Sequence, residues 1–536
     1  MAKTKKALRG RVVTMNANDD VLADGIVYID GDEIAAIQAA KAAPPSGFAR
    51  VAVVNTQGTL YPGLIELHNH LSYDALRLWQ VPKKFGNRGQ WPGHEDYHQL
   101  VTGPMAALAG SKDPQILPSL VRWVEAKCLV AGVTTSQGIR LASGPRIVRY
   151  YRGIVRNVES KSDSGLLPAA SRIADVSARD WAKFKAALDK ASKRGACLLL
   201  HLSEGLDEPA RKHFLALKSG KKWALGKGLA GIHCAALTAK DFAQLGKHGA
   251  SMVWSPLSNY LLYGDTANIA AALDGGVRVG IGSDWSPTGS KNLFGELKVA
   301  RLVAAEKKLG LADRDVLAMA TRTAADILGW GEHLGSLEPG KLADLVVVSG
   351  KTGDPWGHFF TAKETDIALV VIGGTPRFGT AALMKTLGVR GERFKVGGKA
   401  RMADWNDPAG DPDVERYTLA EAKAVLTEVL RKLPKLRANE AKGLGARMSL
   451  LSAAPKVRLV LDEQEDSGFD LRPRLGLHGA STGFTSPRLA AAPKKPLVAL
   501  RLDPLTVADD PDFIPAIKKQ KNLPAFLKRG LARTLK

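Results

Sequence analysis

The chain has 536 residues, enough for more than one domain and for a large buried core. Its hydrophobic fraction of 45% is typical of globular proteins. The three cysteines (Cys128, Cys197 and Cys234) lack metal-clip spacing and cannot all pair, which fits a reducing compartment. The basic start lacks the apolar core of a secretory signal, and the sequence has no run of about 18 apolar residues. We therefore expect a cytoplasmic protein that does not span a membrane.

The formal net charge is +23, which is compatible with nucleic-acid binding. However, the lysines and arginines are interspersed with acidic residues. An acidic substrate or a generally basic proteome would explain the charge equally well. The sequence thus disfavours a nucleic acid as partner, although binding through the basic C-terminal part is kept as an alternative function.

Residues 7–58 have the pattern of β-structure. In "GIVYIDGDEIAAI", apolar positions alternate around a hairpin signal at Asp30 and Gly31. The same texture returns after residue 335, in "GSLEPGKLADLVVVSG" and "ALVVIGGTPRFG". Neither part has enough strands to stand alone. We therefore predict one composite β-sandwich domain built from residues 1–58 and 336–398.

Residues 59–335 alternate short apolar runs with helical patterns such as "ARDWAKFKAALDKASKRG" at 178–195. Seven clear apolar runs begin at residues 60, 132, 151, 196, 228, 250 and 278, and a weaker candidate lies at 172–177. Eight units of this kind predict a (β/α)8 barrel of the TIM type. Residues 399–536 form a basic C-terminal extension with one clear helical pattern, "TLAEAKAVLTEVLRKL", and the sequence does not indicate its role.

Two histidines end the first apolar run, in "LYPGLIELHNHLSYD". Residues two apart in a strand point to the same side, roughly 6.6 Å apart, so His68 and His70 can aim at one point beyond the strand end. Converging neutral imidazoles are typical ligands of a divalent metal. The alternative is an exposed histidine pair at a strand-to-loop junction, which is the commoner situation for an isolated pair.

Ligand-type side chains also end later apolar runs: "ACLLLHLSEG" ends in His201 with Glu204 three residues on, "GLAGIH" in His233, and "RVGIGSD" in Asp284. A barrel carries its chemistry at the C-terminal ends of its strands, so these side chains should meet at one rim. Taken singly, each has an ordinary explanation, as a core histidine or a helix N-cap. Their shared position favours a functional site.

The motifs "PGLIELHNH", "HLSEG", "GIHC", "WSPLSN", "GIGSD" and "GSLEPGKLADLVVV" together resemble the amidohydrolase superfamily. The greatest likeness is to the branch of cytosine and guanine deaminases and triazine hydrolases, over about residues 8–390. The resemblance implies a deaminase-like hydrolase that cleaves a carbon–nitrogen bond, other than a peptide bond, in a small-molecule substrate. Deamination of an amino-heterocycle and opening of a cyclic amide are the two options. Assembly into a homo-oligomer stays open.

Carried onto this sequence, the resemblance implies one divalent metal ion held by His68, His70, His201 and Asp284. This ligand set suits zinc, with ferrous iron as the alternative. Binuclear relatives use a carboxylated lysine at a strand end. We find no lysine there, although Lys161 lies a few residues beyond "GIVRNV", so a one-metal site is favoured.

The same resemblance implies the catalytic roles. Asp284 would accept the proton of the attacking water, and Glu204 would shuttle protons to the reacting nitrogen. His233 would hydrogen-bond the attacking oxygen or a substrate carbonyl. A further metal ligand at His233 and a solvated loop carboxylate at Glu204 are the alternatives. A catalytically inactive scaffold is the alternative function, although a scaffold would not need Glu204 and His233 beside a metal.

The loop after the first barrel strand, residues 79–98, departs from those deaminases. Its notable side chains are Trp79, Arg88, Trp91, His94 and His98. It could form a lid whose aromatic rings stack on a flat substrate, or simply pack over the barrel mouth. The two histidines have helical spacing, but nothing else indicates a second metal. Ser258 and Asn259 match a family position near the pocket, and alternatively only hold their loop.

Overall fold

A computed structural model describes residues 5–144, 147–160, 165–177, 179–412, 417–443, 458–461 and 496–535. Lys161, which would matter for a binuclear site, lies outside the described residues. Among the residues described, no helix has both the length and the apolar character needed to cross a bilayer.

The strands, in chain order, are β1 (Lys5–Val13), β2 (Val21–Asp30), β3 (Glu33–Ala39), β4 (Val53–Pro62), β5 (Leu64–Glu66), β6 (Val133–Ser136), β7 (Arg140–Gly144), β8 (Ile147–Tyr150), β9 (Arg156–Asn157), β10 (Ala170–Arg172), β11 (Leu198–Leu202), β12 (Lys218–Ser219), β13 (Lys222–Trp223), β14 (Leu229–His233), β15 (Ser251–Trp254), β16 (Arg278–Ile281), β17 (Leu345–Ser349), β18 (Ile367–Ile372), β19 (Thr375–Thr380), β20 (Glu392–Val396), β21 (Lys399–Ala403) and β22 (Arg458–Val460).

The α-helices are Glu95–Tyr97, Gly103–Gly110, Ile116–Val130, Trp181–Arg194, Glu208–Leu215, Ala239–Lys247, Pro256–Tyr263, Ile269–Asp274, Leu293–Glu306, Asp313–Ala318, Arg322–Leu328, Pro355–Thr361, Ala381–Thr386, Leu419–Gly443, Phe513–Lys519 and Ala525–Thr534. Two of them confirm helical patterns in the sequence: Trp181–Arg194 lies within residues 178–195, and the long helix that begins at Leu419 contains "LAEAKAVLTEVLRKL".

The four strands before the parallel strands of the barrel region and the five strands after them form one sheet. Their order is β20-β21-β19-β18-β17-β4-β1-β2-β3. The hairpin β2–β3 turns at Gly31, which has a φ of 68°, as the Asp-Gly signal predicts. The two halves meet where β4 pairs antiparallel with β17, Pro62 opposite Leu345. The strands before and after the barrel region thus belong to one sheet, and their arrangement as a sandwich stays a prediction.

Eight short parallel strands lie in the intervening region. Three form the sheet β5-β6-β9 and five form the sheet β10-β11-β14-β15-β16. Backbone contacts link the two sheets on both sides: the Ala169 N–H donates to the Val158 carbonyl at 2.7 Å, and Asn69 and Asp284 form a parallel bridge. The helices between these strands cover them, as expected for parallel βα units.

The fourth of these strands differs from its predicted position. The sequence indicated 172–177, whereas β10 covers Ala170–Arg172. Ala170 and Arg172 pair in register with Leu198 and Leu200 of β11, so the apolar neighbouring strand determines where β10 lies.

Candidate metal centre

Four of the predicted site residues lie at the same ends of four strands. His68 follows β5, His201 and His233 lie within the last two residues of β11 and β14, and Asp284 follows β16. All four are at least 95% buried. His70, two residues beyond His68, is partly exposed. The short apolar strands are buried on all sides, so polar side chains first become accessible to a ligand where the strands end.

The five side chains converge. The His68 ring centroid lies 5.0 Å from that of His70, 4.7 Å from that of His201 and 5.2 Å from that of His233. An oxygen of Asp284, Oδ1, lies 3.1 Å from His68 Nε2 and 3.6 Å from His70 Nε2. Potential ligand atoms lie within 4.8 Å of one another in two overlapping triplets: His68 with His201 and His233, and His68 with His70 and Asp284.

The backbone is strained where it turns these side chains inward. His233 and Asp284 both have a φ of 68°, in the left-handed region that non-glycine residues rarely adopt. Such conformations cost of the order of 1–3 kcal/mol and concentrate at functional sites. Gly282 makes the close approach of β16 to His68 possible, since an added Cβ would lie 2.5 Å from His68 Cβ.

The hydrogen bonds of His68 determine which of its ring nitrogens faces the centre. The side-chain oxygen of Gln137 accepts from the Asn69 N–H at 3.0 Å and lies 3.0 Å from His68 Nδ1. Because an amide oxygen only accepts, His68 Nδ1 carries the proton. The unprotonated Nε2 is buried without a hydrogen-bond partner and faces the Asp284 carboxylate. Two lone-pair atoms 3.1 Å apart repel one another unless a cation lies between them.

His201 repeats this arrangement. Its Nδ1 lies 3.4 Å from the Arg172 carbonyl oxygen, which can only accept, so Nε2 is left for the centre. Burial, and then the neighbouring imidazoles, lower the pKa of His201 well below its ordinary value. A neutral imidazole with a free Nε2 is the form that binds a metal ion.

His233 has the opposite arrangement. The Asn259 side-chain nitrogen lies 3.1 Å from its Nδ1, and an amide nitrogen can only donate. Behind it, the Trp254 indole N–H donates to Thr266 Oγ1, whose hydroxyl donates to Asn259 Oδ1. Burial lowers the pKa of His233, so the ring is neutral and its single proton lies on Nε2. In this tautomer His233 Nε2 is a hydrogen-bond donor toward the centre.

Asp284 is held as an anion. Ser258 Oγ donates to its Oδ2 at 2.5 Å, while Oδ1 faces His68 and His70. Burial alone would raise the pKa of Asp284, but the interactions with the neighbouring histidines outweigh burial and lower it below its ordinary value. Ser258 therefore contacts a site residue directly, and Asn259 contacts another.

Glu204 lies off the cluster. Its Oε2 is 3.7 Å from His233 Nε2 and 3.8 Å from Arg88 Nη1, and its Oε1 accepts from the Tyr263 hydroxyl at 2.7 Å. The Trp91 indole N–H donates to the Tyr263 oxygen at 3.0 Å, which turns the tyrosine proton toward Glu204. Burial, and then the charge of Glu204, raise the pKa of Tyr263, so it keeps that proton.

The loop 79–98 is packed and also reaches the site. Trp79 is buried against Phe85 and Tyr97. Arg88 Nη1 is buried without a hydrogen-bond partner beside Glu204, and Trp91 acts on Glu204 through Tyr263. Trp79 therefore packs within the fold, whereas a lid that stacks on a flat substrate stays a prediction. His94 caps the short helix that follows it, and no metal-type cluster among the described residues includes His94 or His98.

Comparisons with known protein sequences point to one family. The model of the amidohydrolase family matches residues 131–377. Over this region the chain is similar to the amidohydrolase superfamily.

Several of its relatives are deaminases. The chain is 32% identical over 204 residues to a 5-methylthioadenosine/S-adenosylhomocysteine deaminase of Syntrophobacter fumaroxidans, a match that covers 35% of this chain and 46% of that protein. It is 28% identical over 200 residues to an S-triazine hydrolase of Gordonia rubripertincta, covering 35% and 39%. The chain thus spans less than half the length of these two relatives. The chain is also 23% identical to a 5-methylthioadenosine/S-adenosylhomocysteine deaminase of Thermoanaerobacter pseudethanolicus. That match covers 68% of this chain and 91% of that protein.

Solved structures share the fold. A triazine hydrolase variant superposes with a TM-score of 0.58 at 18% identity, covering 79% of this chain and 99% of that one. An adenosine deaminase from Xanthomonas campestris, solved with bound zinc, gives 0.53 at 19% identity, covering 71% and 96%. At these identities the likeness establishes the fold alone.

Sequence reasoning missed three residues that orient the site: Gln137, Tyr263 and Thr266. Gln137 could have been found, because it directly follows the apolar run "GVTTS" and so lies at the same rim. Tyr263 and Thr266 carry no such signal. Tyr263 is the last residue of the helix that follows β15, and Thr266 lies beyond that helix.

Proposed function

We propose that this protein is a metal-dependent amidohydrolase that cleaves a non-peptide carbon–nitrogen bond of a small molecule, by deaminating an amino-heterocycle or opening a cyclic amide. One observation carries the proposal: His68 Nε2 is buried without a hydrogen-bond partner, 3.1 Å from an oxygen of the Asp284 carboxylate and within a cluster of four histidines. The deaminases and the triazine hydrolase among the relatives favour deamination over ring opening.

His68, His70, His201 and Asp284 would hold one divalent ion, with zinc preferred and iron as the alternative. Three nitrogens and one carboxylate oxygen suit either ion, and the zinc in the Xanthomonas campestris structure favours zinc. When bound, such an ion activates a water molecule for nucleophilic attack.

The chain's own residues then handle the protons. Asp284 Oδ1 faces the histidines and accepts a proton from the attacking water, while Ser258 holds Oδ2 in place. Glu204 Oε2, the oxygen not bonded to Tyr263, delivers a proton to the departing nitrogen.

His233 donates from Nε2 to the oxygen on which negative charge develops. His233 Nε2 lies 3.7 Å from Glu204 Oε2, so the imidazole and the carboxylate can both contact one substrate. A catalytically inactive scaffold is not favoured, because the proton-handling residues are kept beside the candidate ligands and the relatives are hydrolases. Nucleic-acid binding stays an untested alternative.

For the fold, we infer that the eight parallel strands close into a (β/α)8 barrel over residues 59–335. The contacts between the two parallel sheets, on both sides, support closure. The shared nine-stranded sheet supports a composite β-domain of residues 1–58 and 336–398, and it also includes β21, which lies at the start of the predicted extension 399–536.

A substrate screen tests the function. The zinc-loaded protein should release ammonia from at least one amino-purine, amino-pyrimidine or amino-triazine, or open a hydantoin ring, or cleave the amide of an N-acyl amino acid. The same panel with Glu204→Gln protein is the control against contaminating enzymes. Full metal occupancy without turnover of any compound would favour the inactive scaffold, and absence of metal binding would contradict the proposed site.

A further inference from the structure

Residues 496–535, which we call the C-terminal segment, lie far outside the region that the family model matches. The segment contains the helices Phe513–Lys519 and Ala525–Thr534. Its apolar residues are buried against the rest of the chain, namely Leu502, Leu505, Val507, Phe513, Ile514, Ile517, Leu523, Leu527 and Leu531. The segment is therefore an integral part of the fold.

The segment inserts a carboxylate between two buried lysines. Asp503 is 2% exposed, and its Oδ2 lies 2.7 Å from Lys127 Nζ while its Oδ1 lies 2.6 Å from Lys291 Nζ. Lys291 Nζ also lies 2.9 Å from Asp510 Oδ2. Two carboxylates of the C-terminal segment thus neutralise two lysines that belong to the barrel region.

Lys127 connects this cluster to the candidate metal centre. Its ammonium group donates to Asp503, to the Asp74 carbonyl oxygen and to Ser286 Oγ, each at 2.7 Å. The Asp74 carboxylate in turn accepts from the Ser286 N–H at 2.7 Å and from the Asn69 side chain at 3.1 Å. Asn69 lies between the two histidines that follow β5, and Ser286 lies two residues after Asp284.

The segment also holds the loop 79–98. The Gln520 side chain donates to the Trp79 carbonyl at 2.7 Å and accepts from the Val81 N–H at 3.2 Å. The Asn522 side chain donates to the Lys83 carbonyl at 3.0 Å. These bonds fix the part of the loop that precedes Arg88.

We propose that the C-terminal segment completes the active site, and that Asp503 is a positioning residue for the candidate metal ligands. Asp503 acts through Lys127, which joins the loop after β5 to the loop after β16. Without the carboxylate, Lys127 would be a buried cation without its counter-ion, and it would move away from Asp74 and Ser286 or draw in water. This inference rests on the proposed function, because the positioned residues are its ligands.

The test compares Asp503→Asn with Asp510→Asn. Both variants remove one buried carboxylate from the same cluster, but only Asp503 contacts Lys127. We expect Asp503→Asn to raise the dissociation constant for zinc roughly 10- to 100-fold, the usual effect of losing a residue that orients metal ligands. Asp510→Asn should change that constant much less, although both variants lower the melting temperature.

Amide hydrogen exchange supplies a readout that does not need a metal. Exchange at residues 68–75 and 283–286 should be faster in Asp503→Asn than in Asp510→Asn and the unmodified protein. If the unmodified protein binds no zinc, the proposed function fails, and the exchange comparison alone decides the inference. Equal zinc affinities and equal exchange in the two variants would overturn it.

A second pair of variants covers the case in which Asp503→Asn does not fold. Lys127→Met removes the link to the site, whereas Lys291→Met removes the other lysine of the same cluster and leaves the link. Weaker zinc binding and faster exchange in Lys127→Met alone would support the inference. Equal effects of the two lysine variants would show that the cluster only stabilises the fold.

Discussion

Glu204→Gln separates proton transfer from metal binding. The glutamine keeps the size of the side chain, and its oxygen can still accept from the Tyr263 hydroxyl at the position of Oε1. Its nitrogen would replace Oε2 on the side of His233 and Arg88, 3.7 and 3.8 Å away. The substitution therefore removes the ability to carry a proton while leaving the packing unchanged.

The expected loss follows from that geometry. A positioned general acid/base contributes roughly 10²–10⁴-fold to the rate, which corresponds to about 2.7–5.4 kcal/mol of transition-state stabilisation at about 1.36 kcal/mol per factor of ten. Folding stability should fall by only about 1 kcal/mol, because one charge-assisted hydrogen bond becomes a neutral one. Metal content should not change, since no candidate ligand is altered.

The assay combines kcat on a substrate from the screen with metal analysis and a melting curve of the same preparation. Tyr263→Phe is the matched control, because it removes the hydrogen bond to Oε1 and leaves the carboxylate. It should cost roughly 10- to 100-fold, less than Glu204→Gln, since a hydrogen bond to a charged group is worth about 1.5–3 kcal/mol. Full turnover by Glu204→Gln would refute the role of Glu204 as proton shuttle.

Three further outcomes are expected. Purified protein should carry about one equivalent of zinc or iron, and His201→Ala should lose metal and activity together; two tightly held equivalents by elemental analysis would instead indicate a binuclear site. Burial raises the pKa of Glu296 to about 8, so the native state keeps a proton that the unfolded chain releases near pH 4.5, and stability is greatest below that pH and declines as the pH rises through 8. Glu296→Gln should flatten this decline in urea unfolding at pH values on either side of 8, and an unchanged pH dependence would contradict it. Deleting residues 1–58 removes β1–β3 and part of β4 from the nine-stranded sheet, so the protein should become insoluble or melt far lower, and an unchanged melting temperature would exclude the composite domain.

Most of the fold could be predicted because the sequence patterns that specify its strands and helices are local. Each barrel-region strand is a short apolar run between helical patterns, and the one displaced prediction, 172–177 against β10, concerns a three-residue strand with little apolar character of its own. The five converging site residues were found because each directly follows, or ends, such a run.

The rest of the site depends on contacts between distant parts of the chain. The donor that determines the His233 tautomer is Asn259, supported by Thr266, and nothing in their sequence spacing specifies this bond. The contact between Lys127 and Asp503 joins residues 376 apart. Charge pairs of this kind appear in the sequence only as a lysine in a helix and an aspartate in a tail.

The pairing of β4 with β17 has a consequence for biosynthesis. Thr59 in β4 donates to the carbonyl of Gly350, 291 residues later, and β4 leads through Gly63 into β5 and the first candidate ligand. β4 therefore pairs with β1, which precedes it, but lacks its second neighbour until β17 has been made. Contacts so distant in sequence form slowly. We therefore expect the candidate ligand His68 to reach its final place only after β17 has been made, and a chain interrupted before β17 would expose the unpaired edge of β4 to chaperones and proteases.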